Sequence, residues 1–257
     1  MAEAIIGGVI SAKLADPKDI CVGEPIADRC RYLESHHGVQ TTQDNLQAAQ
    51  FGDIVIFAIK PQDLSKVSQQ LKGELNSGQA GLSIIAGAKM STLIDNLGHP
   101  TVIRVMPNTP AQIGHGMSMW TASKEVDAAQ REMTQSILST VGREIYVDDE
   151  KYLDMATALS ASGPAYVFLF IEALIDAGVY VGLPRDTSRT LALQMVYGST
   201  RLVMDTGKHP AELKDMVVSP GGTTAEGVQA LEQAGVPAAI VKAVNAAYLK
   251  SIKLGQG

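Results

Sequence analysis

Cysteine is scarce in this chain of 257 residues. Cys21 and Cys30 are its two cysteines, and the absence of any Cys-x-x-Cys spacing excludes a disulfide framework and points to a reducing compartment. A basic surplus is missing too. Twenty-one Lys and Arg stand against 27 Asp and Glu, a formal charge of −6 with a pI near 5.4. The chain therefore lacks the positive field that holds phosphate backbones, and neither nucleic acid nor an anionic membrane is an expected partner. Bulky aromatics are few, four Phe and one Trp against 24 Gly and ten Met, which predicts a core of small and flexible side chains where helices pack closely. Among the five histidines, His36, His37, His99, His115 and His209, none has a partner at ligand or triad spacing. They read as solvated or capping groups, and no metal is expected. The longest uncharged stretch, residues 155–171, falls short of the ~20 apolar residues of a spanning helix and contains Ser160, Ser162, Gly163 and Pro164. It reads as a buried helix. The first residues form an amphipathic helix with no basic segment before it, so the cytoplasm is the default location.

What is present divides the chain in two. Up to residue 149, short β-branched runs near residues 20–22, 39–41, 53–59, 82–85, 101–105, 117–120 and 144–147 alternate with helical spacing over 26–35, 44–50, 64–75, 92–97 and 126–141. That is the pattern of parallel βαβ units. From residue 150 to 257 the strand signals stop, and the spacing predicts helices over 152–181, 184–204, a short one after Pro210, 224–233 and 237–254. Pro164 should kink the first of these. The fold class is thus α/β: a doubly wound Rossmann-type domain over 1–149, followed by an all-α domain over 150–257. A helix as apolar as the one around Phe168 needs burial on all sides, which a second copy of the chain supplies more readily than a hundred-residue helical domain; a homodimer is expected.

A doubly wound nucleotide domain normally opens with a strand, a glycine-rich turn and a helix whose N-terminus holds the pyrophosphate. Here the first element is the helix. If Ala2 is the last small residue of that fingerprint, Glu24 lies close to the ~20-residue offset at which an acid accepts from the ribose 2′-hydroxyl, and it should repel a 2′-phosphate, which favours NADH. Arg29 and Arg31 lie near enough in sequence to neutralise a phosphate; surface arginine is the plainer reading. Gly7 and Gly8, with no strand before them, read as close helix packing. Lys60 and Pro61 follow a strand at its carboxyl end, where ligands bind in open α/β sheets, and Pro61 also suits the opening of the next helix. Asn108, in a second proline-stiffened turn after a strand, is placed near the nicotinamide or serves as a rigid cleft loop.

In the second half, Ser219-Pro220-Gly221-Gly222-Thr223-Thr224-Ala225-Glu226 stands out. Thr223 and Glu226 have the spacing of a capping box, which predicts a helix from Thr224. Two glycines before free helical amides suit a carboxylate, although a well-capped helix after a turn has the same spacing.

In order along the chain, Met1-Ala2-Glu3-Ala4-Ile5-Ile6-Gly7-Gly8, Phe57-Ala58-Ile59-Lys60-Pro61, Arg104-Val105-Met106-Pro107-Asn108-Thr109-Pro110, Ser162-Gly163-Pro164-Ala165-Tyr166, Gly207-Lys208-His209-Pro210 through Leu213-Lys214-Asp215, and Ser219-Pro220-Gly221-Gly222-Thr223-Thr224 resemble the pyrroline-5-carboxylate reductases of proline biosynthesis. The resemblance implies hydride transfer from NADPH or NADH to the C=N carbon of a cyclic imino acid bearing a carboxylate. It implies that Ser219, Gly221, Gly222, Thr223 and Thr224 hold the substrate, with the Thr224 hydroxyl beside the imine nitrogen, and that this loop completes a site between subunits or domains. It places Ala58, Ile59, Lys60 and Pro61 on the nicotinamide side of the cofactor, Asn45 on the adenosine side and Ala86 and Gly87 on a further strand end. It also implies a homodimer that can assemble into a larger ring. The departure is at the start, where Met1 and Ala2 match the last two positions of a Gly-x-Gly-x-Met-Ala turn. A start placed one methionine late would give this chain; a chain that truly starts at Met1 would lack its central strand and pyrophosphate cradle.

Two rivals remain. A β-hydroxyacid or ketopantoate-type dehydrogenase needs a lysine acid on the long helix, and residues 155–171 offer none. A non-catalytic dimeric carboxylate-binding protein would bind proline without oxidising NAD(P)H.

Overall fold

Helix α1 (Ala2–Ser11) turns Ile5, Ile6 and Val9 inward, and all three are buried. Gly8 packs as expected, since a Cβ there would stand 2.6 Å from Thr140 Oγ1, whereas a Cβ on Gly7 would find its nearest neighbour, His37, at an ordinary 3.9 Å. Strand β1 (Cys21–Gly23), helix α2 (Ala27–His37) and strand β2 (Gln40–Thr42) make a right-sized βαβ unit, and β1 and β2 pair in parallel. α2 stops at Gly38, whose φ of 69° is the left-handed conformation that ends helices. Helix α3 (Asn45–Ala49) follows, capped by the Asp44 carboxylate on the Leu46 amide at 2.9 Å.

The larger sheet is assembled from β3 (Ile54–Phe57), α4 (Leu64–Leu71), β4 (Ala80–Ser83), α5 (Met90–Leu97), β5 (Val102–Met106), β6 (Gly116–Ala122), α6 (Ala128–Ser139) and β7 (Gly142–Tyr146). Its strand order is β3-β4-β5-β6-β7. β3, β4 and β5 are mutually parallel, whereas β6 runs antiparallel to β5 because a short 3₁₀ turn, Thr109–Ile113, replaces the crossover helix that a parallel pair needs. β4 and β5 are buried along their whole length, and Leu82, Ile103, Val105, Trp120 and Leu138 form the core beneath them. Among the described residues no ladder joins β1 and β2 to this sheet.

The computed structural model describes residues 1–255 and resolves into two compact units. The strand pattern ends near residue 150 as read, yet the units divide elsewhere: the first holds Met1–Ser162 and the chain from Ala246 on, the second Gly163–Asn245. Helix α7 (Lys151–Ala156) stays with the sheet because Leu153 is fully buried and Asp154 accepts a 2.7 Å hydrogen bond from Ser251 near the far end of the chain. Before Pro164, where a kink is expected, the chain makes a π-helical turn, Thr157–Ala161, in which the Ser162 amide bonds the Thr157 carbonyl at 2.9 Å. Proline has no N–H for the carbonyl four residues back, so the ladder changes register before it.

The second unit consists of α8 (Gly163–Tyr180), α9 (Arg185–Thr206), α10 (Pro210–Val217), α11 (Thr223–Gln233) and the first part of α12 (Val236–Leu254). α8 and α9 meet at Gly178, where a Cβ would stand 2.6 Å from Ser188 Oγ. The burial expected of the apolar helix is not met within one chain. α8 has no buried residue, and Phe168, Leu169, Tyr180 and Val181 are 62, 67, 91 and 76% exposed. Within the chain α8 packs chiefly against α9, which leaves most of its surface uncovered. The helical run Lys151–Tyr180 is long and apolar enough to cross a membrane by length and composition. His99 also departs from the solvated reading, being buried with Nε2 2.8 Å from the Gln79 carbonyl, whereas His209 caps α10 as read, accepting from the Ala211 amide at 3.2 Å.

Candidate functional site

In the first unit, the parallel strands deliver most of the expected dinucleotide residues to one edge of the large sheet. Ala58, Ile59, Lys60 and Pro61 leave β3, with Pro61 opening a 3₁₀ turn that runs into α4, so the helix-opening reading of this proline holds. Ala86 and Gly87 follow β4; Ala86 is exposed and Gly87 adopts φ +77°. A Cβ on Gly87 would lie 3.0 Å from Leu254 Cβ, so this glycine also admits the end of α12. Asn108 follows β5, and both ends of its amide are engaged: Oδ1 accepts from the Met117 amide at 2.9 Å, and Nδ2 donates to Ser160 Oγ at 3.2 Å. Ser160 lies in the π-helical turn, so that irregular turn fixes which way the Asn108 amide faces.

Glu24 and Asn45 both lie by the end of β1. The Glu24 amide extends the ladder to the Thr42 carbonyl at 2.9 Å, and its carboxylate accepts from the Ile26 amide at 3.0 Å while staying half-buried and open to a ligand. Asn45 opens α3, donates to Gln70 Oε1 at 2.8 Å, and stands so close to Gly23 that a Cβ there would lie 2.9 Å from its Oδ1. Ala2 is the first residue of α1, whose N-terminal amides carry no side-chain cap. An uncapped helix start, an acid at a neighbouring strand end and a row of parallel strand ends fit a dinucleotide.

A cluster that the sequence did not announce lies beside these. Glu3 accepts hydrogen bonds from Arg29 Nη2 at 2.5 Å and from the Tyr32 hydroxyl at 3.0 Å, with His37 Nε2 at 3.1 Å. Arg29 and His37 hold its carboxyl down to about 2. Arg29 and Arg31, read as solvent-facing, are both bridged, to Glu3 and Asp28 respectively. Further along, Arg104 is buried on β5 and paired with Glu150, which also accepts from the Met90 amide at 2.6 Å.

The second unit carries the other expected residues. The predicted capping box is absent. α11 begins at Thr223 rather than Thr224, its cap is Gly222, and no side chain caps it. A turn closed by the Gly222 amide on the Ser219 carbonyl at 3.0 Å starts the helix one residue early, which makes Thr223 helical and moves Glu226 out of reach. Gly221 adopts φ +67°, and Gly222 takes the close approach of Ser219, whose Oγ would lie 2.3 Å from an added Cβ. The amides of Thr223 and Thr224, at the first two helical positions, have no intrahelical acceptor. Thr224 is half-buried. Ser219, Gly221, Gly222, Thr223 and Thr224 therefore form one turn and helix start with free donors, suited to a carboxylate. Among the described residues no group of three or more His, Cys, Asp or Glu could hold a metal ion.

Comparison with known proteins gives a consistent picture. Residues 150–254 match the family described as pyrroline-5-carboxylate reductase dimerisation, and residues 1–87 match NADP oxidoreductase, coenzyme F420-dependent. A Synechocystis pyrroline-5-carboxylate reductase is 43% identical over 256 residues, covering 100% of this chain and 95% of that protein. The Escherichia coli protein of the same name is 38% identical over 257 residues, again covering 100% and 95%. The structure of the Plasmodium falciparum pyrroline carboxylate reductase with NADP bound superposes with a TM-score of 0.89 at 33% identity, over 98% of this chain and 94% of that one.

Proposed function

We propose, from the premise that this chain belongs to the pyrroline-5-carboxylate reductase family, that it reduces 1-pyrroline-5-carboxylate to proline with NADPH or NADH as reductant. The observation that carries the reading is the Ser219–Thr224 turn with its uncapped helix start, found in a chain that matches the family over its whole length. When bound, the dinucleotide supplies a hydride.

The chain's own residues supply position and charge. The free amides of Thr223 and Thr224, at the positive end of α11, hold the substrate carboxylate, and the glycines at 221 and 222 let the backbone approach it. The Thr224 hydroxyl donates toward the imine nitrogen, favouring the charge that makes the C=N carbon electrophilic; having no useful acidity, it orients and relays rather than protonates outright. On the first unit, Glu24 and Asn45 take the adenosine end of the cofactor, Ala2 opens the helix that faces its pyrophosphate, and residues 58–61, Ala86, Gly87 and Asn108 line its nicotinamide side. Purified protein given the cyclic imino acid should oxidise NAD(P)H and form proline in equal amounts. Proline binding by calorimetry with no oxidation of either cofactor would instead identify a carboxylate-binding protein.

The working form is a homodimer, or a ring built from dimers. The exposed apolar face of α8 supports this, because a second copy would cover Phe168 and Leu169 without the lipid that its length alone would permit. The enzyme works in the cytoplasm, where a reducing pool suits its free Cys21 and Cys30. Light scattering on the pure protein, and fractionation of the cells that make it, test the two statements.

A further inference from the structure

The network around Glu3 joins the first turn of α1 to α2, next to the end of β1. Besides its 2.5 Å bond to Glu3, the Arg29 guanidinium lies 4.6 Å from the centre of the Tyr32 ring, so it is held on two sides. Arg29 is the first cation after Glu24 in the chain, and the next, Arg31, is bridged to Asp28. The segment that follows β1 thus presents the Glu24 carboxylate while both its arginines are occupied by other carboxylates. In doubly wound folds an acid at this strand end accepts from the ribose 2′-hydroxyl, and a neighbouring arginine is what accommodates a 2′-phosphate.

We propose that Glu3 is a specificity-determining residue: by holding Arg29 on α1 it withholds that cation from a 2′-phosphate beside Glu24, so that the chain favours NADH over NADPH. This rests on the cofactor reading above. Glu3 touches neither substrate nor cofactor and acts through Arg29. Its charge acts alike on the pyrophosphate that both dinucleotides carry, and that part cancels in the ratio of their affinities.

The test is the ratio of Kd for NADP⁺ to that for NAD⁺, measured by calorimetry on the full chain and its variants, with thermal unfolding as a check on folding. In the parent the ratio should exceed one. Glu3→Gln should lower it by about tenfold, equivalent to ~1.4 kcal/mol, and Glu3→Asp, which keeps the charge but shortens the reach, should lower it less. Arg29→Ala alone should leave the ratio unchanged, and adding it to Glu3→Gln should restore the parent value. A ratio unmoved by both Glu3 variants, or raised by Arg29→Ala alone, would overturn the proposal while leaving the cofactor reading standing. A parent chain that binds neither dinucleotide would overturn the cofactor reading itself, and the proposal with it.

Discussion

Replacing Glu150 with alanine tests how the first unit is held together. Arg104 sits in the middle of β5 with its side chain 4% exposed, and Glu150 at the start of α7 is the carboxylate that neutralises it. Removing one partner of a buried pair leaves the other charge unpaired, at a cost of about 3–5 kcal/mol. The Glu150 side chain is 34% exposed, so water can enter where it stood, which puts the charge term near the lower end, about 3 kcal/mol. The Met90 amide also loses its 2.6 Å acceptor, adding about 1 kcal/mol. The variant should therefore be about 4 kcal/mol less stable.

The readout is built into the unit. Trp120 is the chain's single tryptophan, lies on β6 and is 3% exposed, so its fluorescence reports unfolding of this sheet. With a urea slope of about 2 kcal/mol/M, the midpoint should fall by about 2 M. The double variant Arg104→Met with Glu150→Ala removes both charges and should recover most of that loss, because an apolar side chain of similar length tolerates the site. If the double variant were as unstable as Glu150→Ala alone, or the single variant shifted the midpoint by less than about 0.5 M, the unpaired-charge argument would be wrong.

The pH dependence of stability should carry the signature of Glu3. Its carboxyl is lowered to about 2 in the folded chain, first by Arg29 and then by His37, so its contribution is complete above the unfolded value of 4.5 and is lost as pH falls through about 2. Urea midpoints of the parent and Glu3→Gln should stand apart above about pH 5 and converge toward about pH 2; a constant separation across that range would contradict it. Thr224→Ala should lower kcat by about ten- to a hundredfold, at the low end for positioned proton-transfer groups, and an unchanged kcat would remove Thr224 from the mechanism. Leu169→Asp places a charge in the exposed apolar face of α8, and light scattering should then give 27.2 kDa where the parent gives a multiple of it. An unaltered assembly would place the subunit contact elsewhere.

The periodicity of the first half made its elements legible, because β-branched runs such as residues 53–59 and helical runs such as 64–75 obey local rules that the fold does not override. The family was legible for a different reason: its motifs fall at turns such as residues 58–61 and 219–224, where backbone approach to a ligand restricts the residue types. Local rules failed where a neighbour in sequence competed. The Thr223 and Glu226 spacing is that of a capping box, but the turn that Gly221 permits starts the helix one residue earlier, which leaves the amides free for a ligand instead of a side chain. Pro164 was visible as a breaker; that it would convert the preceding turn to a π-helix, and thereby hand Ser160 to Asn108, depends on a strand end fifty-two residues away.

The burial expected of α8 is one that the sequence reading assigns to a second copy of the chain. The apolarity of residues 155–171 is real, but an α8 with no buried residue shows that the chain alone does not meet the demand its sequence expresses. Charge pairing was invisible for a related reason. In the sequence Glu3 is simply an acid near the start of a helix, and Arg29 on the next helix reads as a surface arginine. Only the packing of α1 against α2 brings them together across twenty-six positions. That pairing changes the argument about Glu24. Taken alone, the acid disfavours a 2′-phosphate by its own charge; with Arg29 held by Glu3, the group that would offset that charge is also withheld, so the two carboxylates act in the same direction, one from a strand end and one from a helix.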